Sequence, residues 1–297
     1  MKMNLSQPCF NSTLVGCLTG AARYYNLDIS DVMIYGLSGH AFVINTVKDL
    51  CPSGPYTWDM SQLQKLCKNF GLYPRLDETK WIVNDSDKEF VKKCENDIKH
   101  KMDSGIVVML VSLEHQLFEE YDNEAFLITL PWGKVPSETK RIEYGNWPGP
   151  FSGYTAIEKV STSVSIREAI HQTLEYAAHL IFHSQKDDNG CLGLCAYDNW
   201  IDCVKRGHGS SHGNWWNGMV WSESKLYASK FFKEISKYGY NLKECNSLSE
   251  IYYEISELLS KIKDKELADN SKISLLEEAG NLEKTAGEKI ENLIKKV

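Results

Sequence analysis

Apolar positions recur every three to four residues over 17–25, 59–70 and 86–102, a spacing that predicts amphipathic helices, with a shorter helix at 28–34. Asp59 stands where an N-cap belongs, and Gly71 follows the same segment where a helix needs a left-handed closing residue. Elsewhere in the first half the pattern shortens to β-branched runs, which predict strands at 41–47, 105–112, 116–121, 125–130 and 154–160. Asp122 and Asn123 supply a turn between two of them. From 165 onward the period is helical, over 165–183, 193–205, 215–237, 247–263 and 271–297, and no strand is expected there.

Helices followed by a strand meander predict an α+β domain over 1–160, with an all-helical domain over 161–297 packed on it. The Pro- and Gly-rich stretch 144–153 is the expected seam. Along the last helix, Leu276, Ala279, Leu282, Ala286, Ile290, Leu293 and Val297 form one apolar stripe. Such a stripe packs on its own domain, or it pairs with a second copy to give a homodimer.

Composition narrows the classes. With 297 residues, 42% of them hydrophobic, the chain can fill a core without staples. A formal charge of −7 argues against nucleic-acid binding, which needs a basic surface. The nine cysteines are odd in number and scattered, and no apolar signal follows Met1-Lys-Met-Asn-Leu, so a reduced, cytoplasmic protein is expected. No apolar run reaches the ~18–20 residues that cross a bilayer, so no membrane residence is expected.

The chemistry centres on Cys17, read as opening a helix directly after Gly16. A thiol in a helix's first turn sits at the positive end of the peptide dipoles, which favours the nucleophilic thiolate. Asn11, six residues upstream, is the candidate amide donor for an oxyanion. The plain alternative is a small buried apolar side chain. Cys51 and Cys9 are lesser nucleophile candidates, because a proline follows the first and no helix starts at the second. His40, in Leu37-Ser-Gly-His40-Ala-Phe42, and His115 are the candidate bases, with Glu114 beside them; on a strand, Glu114 and His115 face opposite sides. Cys191 and Cys195, with His208 and His212, have spacings compatible with zinc. Packing of Cys195 and Cys203 on a helix face and a simple glycine-rich loop for the histidines are the preferred reading, so no metal and no cofactor are expected. Tyr197, Trp200, Trp215, Trp216, Trp221 and Tyr227 line a groove or fill a core.

The run Gly16-Cys17-Leu-Thr-Gly-Ala-Ala-Arg-Tyr-Tyr25 and the segment Tyr35-Gly-Leu-Ser-Gly-His40-Ala-Phe42 resemble bacterial proteins related to the peptidase C39 group and to the N-terminal domain of butirosin biosynthesis protein H. The Tyr121-Asp122 turn and Gly193-Leu-Cys-Ala-Tyr-Asp-Asn-Trp200 extend the likeness. It implies a papain-like fold with an appended helical region, built around a nucleophilic cysteine. Related proteins of butirosin and closthioamide assembly move an acyl group from a carrier-protein thioester to an amine. The chain departs from the family in two places: Glu114 takes the histidine position, with His115 one place late, and Leu130 replaces the orienting aspartate before proline.

The resemblance implies an acyl-Cys17 intermediate that passes its acyl group from a carrier protein to an amine acceptor, in antibiotic biosynthesis. Lys65, Lys68, Lys92 and Lys93 are the candidate contacts for an acidic carrier. A peptidase of the same group is the alternative within enzymes. A non-catalytic papain-like binding protein is the alternative outside them, motivated by Leu130.

Overall fold

The computed structural model describes every residue except 84–86, 113, 133–139, 149–151, 163, 187–189 and 297. The chain divides into one unit made of residues 1–29 and 67–163 and another made of 30–66 and 164–297. The segment 30–66, read from sequence as part of a domain spanning 1–160, thus groups with the C-terminal helices.

The first unit is α+β. Its antiparallel sheet runs in the order Leu72–Pro74, Ser152–Lys159, Val107–Val111, Gln116–Tyr121, Ala125–Ile128, Arg141–Glu143, with Lys80–Ile82 also paired to Ser152–Lys159. Val107–Val111 is buried along its whole length, as its unbroken apolar run requires. The Thr13–Tyr24 and Lys88–Asp103 helices pack on this sheet. Leu14, Leu18 and Ala21 of the first helix are fully buried, as are Leu117, Phe118 and Phe126 of the sheet. Each large apolar side chain so buried contributes about 1.5–3 kcal/mol. Asp87 caps the second helix by accepting the Phe90 N–H at 3.0 Å.

Glycines inside the first helix mark a close approach rather than a break. A Cβ on Gly16 would lie 3.1 Å from the Pro8 carbonyl oxygen, and one on Gly20 would lie 2.7 Å from Leu117 Cδ1. The segment preceding the helix therefore lies along its Gly16–Gly20 face.

The second unit is helical but not wholly so. Its helices are Asp31–Leu37, Ile166–Phe182, Cys195–Cys203, His212–Ile235, Leu242–Ile262 and Asp269–Ile294. Ser30, Ser165, Ser211 and Asn241 each accept a backbone N–H at a helix start, so the sequence's starting signals are used. Contrary to the expectation of no strand after 165, Gln185–Lys186 and Gly190–Leu192 pair with each other, and Gly190–Leu192 pairs with Asn45–Val47. The strand expected over 41–47 is shortened to Asn45–Val47 because His40–Phe42 winds into a 3₁₀ turn.

The His212–Ile235 helix is buried around most of its circumference. Lys225, fully buried on it, donates to Glu283 Oε1 at 2.9 Å and to the Phe42 carbonyl at 3.0 Å. Tyr197 and Tyr252 also donate to that carboxylate. In the last helix Leu276, Ala279, Ala286, Ile290 and Leu293 are buried within their own unit, whereas Leu282 of the same stripe is half-buried and Val297 lies outside the described residues. Trp200, Trp221 and Tyr197 are core residues rather than groove lining. Among the described residues, no helix is long and apolar enough to cross a membrane.

Candidate functional site

The helix expected at 17 starts one turn earlier, at Thr13. Cys17 is its fifth residue, past the first turn where the dipole acts. Its side chain is 0% exposed. Burial, reinforced by the Glu114 charge, pushes its thiol well above the ordinary value, so the sulfur is a protonated, core-like thiol at neutral pH. The physical basis for reading Cys17 as a thiolate is therefore missing from this conformation.

The residue at the helix start is Thr13, and the amide six residues before it is Gln7. Thr13 and Gln7 thus repeat the spacing of Cys17 and Asn11, displaced by one helical turn. Thr13 Oγ1 donates to Glu114 Oε2 at 3.0 Å and accepts the His115 N–H at 2.9 Å. Gln7 Nε2 donates to the His115 carbonyl at 2.9 Å and, more weakly, to the Thr13 carbonyl at 3.4 Å. The Thr129 hydroxyl donates to Gln7 Oε1 and accepts the Leu117 N–H at 2.8 Å. These contacts tie the helix start, the chain before it and the strand ends into one buried polar network.

Glu114 is half-buried and His115 is buried, and both precede the strand that begins at Gln116. Burial pushes the His115 imidazole down to about 4, so the ring is neutral at physiological pH. Asn11 is half-buried and lies before Ser12, the residue that flanks the helix, while Leu130 is half-buried beyond the Ala125–Ile128 strand. Thr13, Gln7 and Thr129 were not singled out by sequence. The signal was present in Ser12-Thr13, a pair typical of helix starts.

His40 belongs to the second unit, whereas Cys17, Glu114 and His115 belong to the first. It follows Gly39, whose φ of +77° favours glycine, and its Nδ1 lies 3.4 Å from Ser224 Oγ. Tyr35, Trp58 and Trp221 surround the ring at centroid distances of 5.9, 6.1 and 6.1 Å. His40 is thus a buried histidine in an aromatic box.

The same unit carries a cleft of about 530 Å³ whose wall is the 51–59 loop, continued by a second hollow of about 600 Å³. The two share Asp59, Gln185 and Leu192. The loop is held from behind: Asn45 Nδ2 donates to the Gly54 and Thr57 carbonyls at 2.7 and 3.2 Å, and Trp58 Nε1 donates to Pro55 at 3.0 Å. Asp49 and Leu50 take positive φ of 57° and 52° just before Cys51, a conformation that costs non-glycine residues energy and recurs at functional sites. Cys51 is exposed on the cleft and accepts from Ser53 Oγ at 3.2 Å.

The remaining sequence candidates are dispersed. His208 faces Asp49 at 3.5 Å, His212 opens the His212–Ile235 helix, and the Cys195 thiol points to the Gln185 and Leu192 carbonyls. Among the described residues no cluster of three or more His, Cys, Asp or Glu is arranged to hold a metal ion. Of the lysines considered for a carrier, Lys93 pairs with Glu89 at 2.9 Å and Lys68 lies 3.8 Å over the Tyr73 ring. Comparison with protein-family models and with curated proteins finds no match for the chain.

Proposed function

We propose that this protein is a small-molecule-binding protein, with a papain-like first unit that carries no acyl-cysteine chemistry and a binding cleft in its helical unit. The observation that carries the reading is the state of Cys17: wholly buried, one turn inside its helix, with a thiol raised by burial and by Glu114. Both amide-forming acyl transfer and peptidase action through the expected nucleophile need an exposed, ionised sulfur. In their place the helix start holds a hydroxyl engaged by Glu114 and by the His115 N–H. A helix packed on an antiparallel sheet, with polar residues gathered at the helix start, supports the papain-like and C39-like resemblance as a frame without its chemistry.

The cleft supplies the positive side of the reading. It combines volume suited to a metabolite, aromatic lining and a few polar groups on a loop whose backbone is fixed. A thermal-shift screen of the full chain against a library of amines, acids and neutral compounds tests it. Saturable stabilisation by at least one class is expected, because a ligand that binds only the folded state raises its stability. Absence of any such ligand, together with acyl loading of Cys17 from a thioester, would overturn it.

A further inference from the structure

The two hollows form one elongated groove, because both are bounded by Asp59, Gln185 and Leu192. Its chemistry is not uniform. Around Asp59 the lining offers a second carboxylate, Glu175, and two aromatic side chains, Trp58 and Tyr176. Gln62 and Gln172 add amides on the same side. Lys48 lies in the other hollow, the one that does not include Glu175. His179 and His183 also line the acidic half.

The aromatic walls are built in rather than incidental. Tyr176 is buried, and its ring presses on Gly39 so closely that a Cβ there would lie 2.6 Å from Cδ1. Asp59 and Tyr176 line the same hollow. Trp58 is tied by its indole N–H to Pro55 and backed by the His40 ring. Asp59 itself is exposed at the groove with one oxygen on the Ser61 N–H at 2.9 Å, which fixes the carboxylate without neutralising it.

Carboxylates beside aromatic faces select cations: the ammonium gains a charge-assisted hydrogen bond, and the ring quadrupole attracts the same charge. Glu175 also lies 3.5 Å from His171 Nε2, one turn away on the same helix, and an anion would meet two carboxylates in this half of the groove. Resting on the binding function proposed above, we infer that the groove takes an organic amine, its ammonium held by Asp59 and Glu175 and its apolar or aromatic body against Trp58 and Tyr176. Lys48 lines the first hollow together with Asp59 and Trp58 and so disfavours a second positive charge there.

Calorimetric titration of the full chain at about pH 8, above the ordinary imidazole range, with tryptamine, its neutral analogue tryptophol and its anionic analogue indole-3-propionate tests this. Tryptamine is expected to bind most tightly. Asp59→Asn, which retains the cap on Ser61, and Glu175→Gln should each weaken it by about two- to fivefold, the range of an exposed charge pair. Lys48→Met, which removes a like charge from the hollow that holds Asp59, should tighten it. Equal or tighter binding of the anionic or neutral analogue, or tryptamine binding insensitive to both carboxylate variants, would overturn the amine assignment while leaving a binding function in place. Failure of all three analogues to bind at up to about 10 mM, tenfold above the roughly 1 mM that corresponds to about 4 kcal/mol of binding, would overturn it too. The binding function then falls only if the mixed-library screen is also empty.

Discussion

The Thr13 hydroxyl donates to Glu114 at 3.0 Å while accepting the His115 N–H at 2.9 Å. One side chain at a helix start thereby holds two of the three residues that the sequence offered as catalytic partners for Cys17, Glu114 and His115 but not His40. Replacing Thr13 by Val removes both bonds inside a buried network and should cost about 1–3 kcal/mol in urea unfolding. Thr13→Ser, which keeps the oxygen, should recover most of that loss. Equal stability of the Val variant and the wild type would show that the network does not hold the helix start.

His115 is expected to make the fold acid-sensitive. Its folded value near 4 lies below the ordinary 6.5, so between those values the unfolded chain binds the extra proton. Stability from this residue is complete above pH 6.5 and lost as pH falls towards 4, by up to about 3 kcal/mol for a fully buried ring. Urea midpoints of the wild type and His115→Asn across that range check the sign: the variant should show the smaller decline.

Lys225 and Glu283 form a wholly buried ion pair. Lys225→Met strands the carboxylate and should cost about 3–5 kcal/mol. Adding Glu283→Gln to that variant removes the stranded charge while keeping an acceptor for Tyr197 and Tyr252, so part of the loss should return. Strictly additive losses in a double-mutant cycle would contradict this coupling.

Gly39 is expected to tolerate no side chain. Its φ of +77° and the Tyr176 ring against it mean that Gly39→Ala strains the backbone and displaces the ring. A fall in thermal midpoint, with weaker amine binding in whatever protein remains folded, is the expected result. An Ala variant with unchanged midpoint and binding would remove Tyr176's packing from the groove's design.

How much of this was legible in the sequence depends on whether the cause was local. The strand Gln116–Tyr121 coincides with its predicted span, and Ser165 and Asp87 cap helices where apolar periodicity begins. The helix start at Thr13 was missed because Gly16 reads as a boundary, whereas its missing Cβ admits the Pro8 carbonyl. That error of one turn moved the candidate chemistry from Thr13 and Gln7 to Cys17 and Asn11. The pairing of Asn45–Val47 with Gly190–Leu192 was not legible, since short strands far apart in sequence carry no mutual signal. For the same reason the grouping of 30–66 with the C-terminal helices escaped a reading that assumed contiguous domains.

The measurement that bears most directly on the proposed function is intact-mass analysis, with peptide mapping, after incubation with acyl-pantetheine and acylated carrier-protein thioesters, alongside limiting iodoacetamide labelling. Because Cys17 is buried and protonated while Cys51 and Cys9 are exposed, alkylation should reach the latter two first, and Cys17 should react only after unfolding. No acyl group should be found on Cys17. Stoichiometric acyl-Cys17, discharged as an amide by added amine and abolished in Cys17→Ala, would contradict the binding-protein reading and restore the acyltransferase.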